Sequence, residues 1–92
     1  MATYLMFGKY SVDAVKQISA ERTEKTMQLA TSFKGTVTAM YAMLGEYDLL
    51  FIVEMPGNEQ ALQFSVALSK LTGIAFATSP AVTVAEFDKM MA

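Results

Sequence analysis

The chain has no cysteine and no histidine. Those two absences exclude disulfides, zinc-thiolate and imidazole metal sites, Ser-His-Asp triads and Cys-His dyads in one step. Basic residues are scarce as well: 7 Lys and Arg against 9 acids, with no two basic residues adjacent. That leaves no electrostatic footprint for nucleic acid and no polybasic patch for an anionic membrane surface. The acids are scattered, with no Asp-x-Asp loop to gather a hard cation, so neither a metal nor a cofactor is expected. Long apolar runs are missing too. The longest aliphatic and aromatic run is Leu49–Val53, far short of the roughly 20 residues a membrane-spanning helix needs. The N-terminus has no basic region followed by an apolar core, and the expected location is the cytoplasm.

What is present is apolar. Hydrophobic residues make up 53% of the 92 and charged residues 17%, against roughly 45–50% and a quarter in ordinary globular chains. A chain of this length is expected to form one domain over residues 1–92, and such a domain buries only about 60–65% of its unfolded surface. The surplus of apolar surface therefore calls for a cover, and a second copy of the chain is the expected one.

Local patterns order the elements. Thr3–Tyr10 is aromatic-rich and short, a strand, and is followed by Ser11 as a helix N-cap with Asp13 in the first turn. Gly8 inside it marks a bulge or a close backbone approach. From Val12 to Phe33, Val15, Ile18, Met27, Leu29, Ala30 and Phe33 fit one helical face, but Ser19-Ala20-Glu21-Arg22 interrupts it, giving either two helices or one kinked helix. Lys34-Gly35 ends the helix. Thr36–Leu44 and Tyr47–Met55 are two strand-like runs joined by Gly45-Glu46, a two-residue loop suited to a type II′ hairpin. That register sets Tyr41 opposite Leu50 and Ala39 opposite Ile52 on one face. Ala42 with Leu49, Met40 with Phe51 and Thr38 with Val53 then pair on the other.

Pro56-Gly57-Asn58 is a turn and a helix start, with Asn58 as N-cap. The helix it opens stops at Thr72-Gly73, and its inner face is expected to carry Ala61, Phe64, Ser65, Leu68, Leu71 and Thr72. Ile74–Val84 supplies a last strand in which Pro80 demands an edge position or a bulge. Glu86–Met91 reads as a short terminal helix. The order β-α-β-β-α-β is the ferredoxin-like split arrangement, an α+β fold in which two helices cover one face of a four-stranded antiparallel sheet. Both faces of the central hairpin are largely apolar, so two sheets packed face to face would give a dimer.

The stretch Met40–Glu54 carries Gly45, Glu46, Tyr47 and Asp48, a Gly-x-Tyr-Asp hairpin. With the opening Tyr-Leu-Met-Phe-Gly-Lys-Tyr strand, the Ser-Ala-Glu-Arg-Thr-Glu-Lys stretch at 19–25, Lys34-Gly35 and the closing Val84-Ala-Glu-Phe-Asp88, the chain resembles the GYD-domain family. The resemblance implies a ferredoxin-like, dimeric α/β-barrel architecture and brings no established activity or catalytic residue with it. The hairpin is also similar, over a short stretch, to that of the ligand-sensing domains of Lrp/AsnC-type regulators, which bind amino acids between subunits. The few residues before the first strand are too short for the helix-turn-helix of those regulators.

Four residues are candidates for holding a small ligand: Tyr10, Arg22, Tyr47 and Asp48. Tyr47 and Asp48 either orient a ligand at the mouth of a pocket or serve the hairpin, Asp48 by accepting backbone hydrogen bonds. Arg22, the only arginine, either anchors a carboxylate or forms an ion pair with Asp48 or Glu54. Glu54 is a candidate general base if buried, and otherwise a strand-end charge paired with a lysine. The eight methionines fill gaps in a small core and interface, or line an adaptable pocket. The function expected from all this is a homodimeric or higher-order module that binds a small apolar or amino-acid-like molecule, or simply assembles. The alternative is a cofactor-independent enzyme of monooxygenase or isomerase type working between helices and sheet, an alternative that rests on fold analogy and is weakened by the missing histidine.

Overall fold

A computed structural model covers residues 1–92. The elements run β1 (Ala2–Lys9), α1 (Val12–Lys16), α2 (Ala20–Ser32), β2 (Thr36–Ala42), β3 (Leu49–Met55), α3 (Asn58–Thr72), β4 (Ala75–Ala81) and α4 (Val84–Met91). The four strands form one antiparallel sheet in the order β2-β3-β1-β4, the ferredoxin-like arrangement. The helical stretch is two helices rather than one, because each has its own cap: Ser11 Oγ accepts from Ala14 N–H and Ser19 Oγ from Arg22 N–H, both at 3.0 Å.

Alternation along β1 and β3 sorts the side chains. Tyr4, Met6, Phe51, Val53 and Met55 point under the helices and join Ala30 of α2 with Ala61, Phe64 and Leu68 of α3 in a single buried cluster. Alanine at positions 30 and 61 lets both helix backbones lie close to the sheet. Phe64, Met6, Met55, Leu68 and Val53 are fully enclosed, and each stabilises the fold by about 1.5–3 kcal/mol relative to exposure. The opposite face carries Leu5, Phe7, Leu50 and Ile52 with Ala39 and Tyr41, and no helix covers it.

Gly8 is a close approach and not a bulge. The β1–β4 ladder passes through it without a shift, and a Cβ there would stand 2.8 Å from Phe76 Cε1. Pro80 lies on the edge strand, and the β1–β4 ladder continues through it in register opposite Tyr4.

Several local expectations are corrected. The pairs Ala42–Leu49, Tyr41–Leu50, Met40–Phe51 and Ala39–Ile52 form, but the register shifts so that Val53 faces Val37 and Thr38 is left over as a bulge. Thr38 Oγ1 donates to Ile52 O at 2.9 Å, satisfying a carbonyl that the bulge frees from the ladder. The hairpin connection is wider than a type II′ turn. Its last backbone bond runs from Met43 N–H to Asp48 O at 2.8 Å, and Gly45 has φ +135°, well beyond the roughly +60° of that turn. The cause is Asp48, which turns toward β1: its N–H donates to Gly8 O at 2.9 Å.

At the end of α2 the left-handed residue is Lys34, φ 64°. Gly35 is required for space, since an added Cβ would overlap Met55 Sδ and lie 2.7 Å from Glu54 O. Asn58 does not cap α3, because its Oδ1 accepts the Tyr4 hydroxyl at 2.6 Å; Gly57 occupies the cap position with no side-chain bond. Val15, Ile18 and Met27 are exposed, as is Leu71. Leu29, Ala30 and Phe33 do face inward as expected, and the inner stripe is continued toward the N-terminus by Thr26, 3% exposed, and Arg22. Thr26 can be buried because its hydroxyl donates to Arg22 O within the helix at 3.0 Å. α4 starts two residues earlier than expected, capped by Thr83 Oγ1 accepting from Glu86 N–H, and buries none of its side chains. No helix is long and apolar enough to cross a membrane.

Candidate functional site

The stripe on α2 decides where the cleft lies. Beyond Ala30 the helix backbone hugs the sheet, but toward its N-terminus the small Thr26 is the buried residue and leaves room above β2 and β3, with the half-buried Arg22 beside it. A cavity of about 160 Å³ opens there, walled by Met40, Leu49, Phe51 and Ile74 on the sheet side and by Ile18, Ser19, Arg22, Thr23 and Thr26 on the helix side, with Tyr10 at its rim. Tyr10 reaches it from the short turn between β1 and α1. Ser19 and Arg22 reach it from the first turn of α2, where the positive end of the helix dipole adds to the guanidinium.

The polar atoms facing this cleft divide into committed and free. Thr26 Oγ1 is spent on Arg22 O, Thr23 Oγ1 on Ser19 O at 3.3 Å, and Thr72 Oγ1 on Leu68 O at 2.8 Å. The Tyr10 hydroxyl makes no hydrogen bond within the chain, and the Ser19 hydroxyl accepts from Arg22 N–H without donating. Of the N–H groups on the Arg22 guanidinium, one on Nη1 donates to Ala14 O at 2.6 Å, and the guanidinium carbon lies 5.7 Å from the centre of the Tyr10 ring. The expected ion pair of Arg22 with Asp48 or Glu54 does not form; the one ion pair in the structure joins Lys25 to Glu21 at 3.3 Å on the outer side of α2. No carboxylate lines the cleft. A half-buried guanidinium with a ring against one side and no counter-charge is therefore the dominant electrostatic feature of the site.

Of the four candidate residues, Tyr10 and Arg22 meet in this cleft and Tyr47 and Asp48 do not line it. Tyr47 packs against Phe7 with ring centres 5.2 Å apart and ring planes tilted by 43°, on the side of the sheet away from the helices. Asp48 Oδ2 accepts the Tyr10 backbone N–H at 2.9 Å. With its own N–H on Gly8 O, Asp48 thus clamps the end of β1 and fixes the turn from which Tyr10 projects. Glu54 points to the open sheet face, half-buried, and its side chain bonds to no lysine. Sequence reasoning missed Thr26, Met40, Phe51 and Ile74 as cleft residues. The i, i+4 spacing of Arg22, Thr26 and Ala30 was the available signal, concealed because Met27 and not Thr26 looks like the inward residue.

The family model for the GYD domain matches residues 4–91, nearly the whole chain. The chain belongs to the GYD domain family. Its signature residues are Gly45, Tyr47 and Asp48, so in this GYD domain the Asp braces the β1–α1 turn while the Gly and Tyr serve the hairpin. No curated protein matches the chain. Among solved structures, the fold is similar to that of the leucine response regulatory protein of Mycobacterium tuberculosis, with a TM-score of 0.60 and 6% identity over 89% of this chain and 51% of that one. The GYD domain spans about half the length of that protein, and at this identity the likeness is one of fold.

Proposed function

We propose that this GYD domain is a homo-oligomeric binding module that takes up one small organic molecule in the cleft between α2 and the sheet. The observation that carries the reading is the Arg22 guanidinium, half-buried beside an apolar cavity, with no acid to neutralise it. Leaving a buried charge without a partner is costly, and a ligand that supplies the missing charge relieves that cost. The ionisable side chains at the cleft are one phenol and a guanidinium. With no carboxylate placed to move a proton, the arrangement favours binding over turnover.

Oligomerisation is supported by the open sheet face, where Leu5, Phe7, Leu50 and Ile52 lie side by side on adjacent strands. Four strands of seven or eight residues present about 20 Å by 23 Å in plan, the size of the largest patches that monomers leave in water, which often serve as interaction surfaces. Asp48 then acts at one remove from the ligand, through the Tyr10 turn. Native mass spectrometry of the protein purified from its own cells tests both parts. The expected spectrum shows a multiple of the 10.0 kDa chain mass carrying a small-molecule adduct that is lost on denaturation. A bare 10.0 kDa species refutes the module as stated.

A further inference from the structure

The geometry points to the chemical class of the occupant: a small monocarboxylate with a single ring-sized apolar body and no ammonium group. This rests on the cleft being a binding site at all, as proposed above. Size sets the first bound. A cavity of about 160 Å³ matches the roughly 150 Å³ of an engineered apolar cavity that accepts benzene, so it holds one ring or its branched aliphatic equivalent and not a nucleotide or a fused-ring cofactor. The wall formed by Met40, Leu49, Phe51 and Ile74 offers that body only dispersion contacts.

Charge sets the second. The hydrogens of the Thr23, Thr26 and Thr72 hydroxyls are directed to carbonyls of their own helices. The donors left for a ligand are the remaining guanidinium N–H groups of Arg22, the phenol of Tyr10 and the hydroxyl of Ser19, whose oxygen accepts from Arg22 N–H but whose hydrogen is uncommitted. A set of free donors with no anionic acceptor recognises an anion, and a planar guanidinium fork matches the two oxygens of a carboxylate. Glu21, the nearest acid along α2, is engaged with Lys25 and does not compensate Arg22.

The same inventory sets a third bound, against amino acids. A zwitterion would bring an ammonium into a cleft that contains no carboxylate and already holds the Arg22 charge. The site is thereby built for a carboxylic acid and against its α-amino counterpart, which departs from the amino-acid ligand suggested by the hairpin's likeness to Lrp/AsnC-type regulators.

The test is a calorimetric or chemical-shift titration of the full chain at neutral pH with benzoate, with benzamide as its neutral isostere, and with 2-phenylglycine. The expected result is benzoate binding at least about tenfold tighter than benzamide and phenylglycine, the increment of one hydrogen-bonded charge. Arg22→Gln then removes that advantage and leaves benzamide unchanged, while Arg22→Lys restores only part of it because the fork is lost. The benzoate-to-benzamide ratio needs no substitution, so it stands even if Arg22→Gln disturbs α1 through the lost bond to Ala14 O. Equal binding of benzoate and benzamide overturns the anion assignment while leaving the binding module intact. Phenylglycine binding as tightly as benzoate overturns the exclusion of ammonium. Benzoate affinity unaltered in a folded Arg22→Gln variant overturns the role of Arg22, and no binding of any of the three overturns the inference and the binding module together.

Discussion

Removing the Asp48 carboxylate is the sharpest test of how the signature hairpin serves the cleft. Asp48 Oδ2 accepts the Tyr10 N–H at 2.9 Å, and the residue is half-buried between the ends of β1 and β3. A hydrogen bond to a charged group contributes about 1.5–3 kcal/mol, and partial exposure places this one near the lower end. Asp48→Ala should therefore destabilise the fold by about 1.5–2 kcal/mol, since the Tyr10 N–H is left to water. For a domain of this size that is a fall in Tm of about 6–16 °C. Asp48→Asn keeps an acceptor oxygen and loses the charge, and should cost about 0.5–1 kcal/mol. Urea unfolding followed by circular dichroism measures both values, and amide hydrogen exchange reads the bond itself, with Tyr10 expected to lose protection in Asp48→Ala and to retain most of it in Asp48→Asn. Because Tyr10 projects into the cleft from this turn, benzoate affinity should fall in step with that protection. An Asp48→Ala protein within about 0.5 kcal/mol of the parent, with Tyr10 exchange unchanged, would refute the clamp and with it the link between hairpin and cleft.

Four further outcomes follow from the packing. Gly35→Ala should destabilise by about 1–3 kcal/mol, because Met55 can yield to the new methyl but the Glu54 carbonyl 2.7 Å away cannot. Lys34→Gly, at φ 64°, should stabilise by about 1 kcal/mol, and urea midpoints distinguish the two signs. Phe64→Ala, at a fully enclosed position, should cost about 3–5 kcal/mol, against under about 1 kcal/mol for Leu71→Ala, which is 44% exposed. Ile52→Lys on the open sheet face should leave the circular dichroism spectrum unchanged and convert an oligomer into a 10.0 kDa species by light scattering. An unchanged oligomer mass would show that this face is not the interface.

Most of the fold is legible in the residues because it depends on local chemistry. Ser11 and Ser19 each precede a helix and cap it, and Gly73, with φ 73°, ends α3 as a glycine should. The hairpin register is set by residue alternation, and four of its pairs form as read. The site was less legible. Arg22 and Tyr10 stood out as a lone arginine and an aromatic beside a turn, but nothing in their spacing of twelve residues brings the guanidinium to 5.7 Å from the ring. That proximity depends on the angle at which α2 returns across the sheet.

The sequence by itself determined the element order, the strands apolar on both faces, the serine caps of α1 and α2, the glycine stop of α3 and the lack of any thiol or imidazole chemistry, because each follows from which side chains are present and how they alternate. Tertiary structure alone decided which residues in the N-terminal half of α2 turn inward. Hydropathy favours Met27, whereas Thr26 is buried because its hydroxyl is satisfied within the helix and its small volume suits the gap above β2. Competition between partners likewise lies outside any local pattern. Asn58 gives its oxygen to Tyr4 instead of capping α3, and Asp48 turns to Tyr10 and Gly8 instead of pairing with Arg22. Each choice is made between groups that only the folded chain brings within hydrogen-bonding distance, and the uncompensated charge of Arg22 is their result.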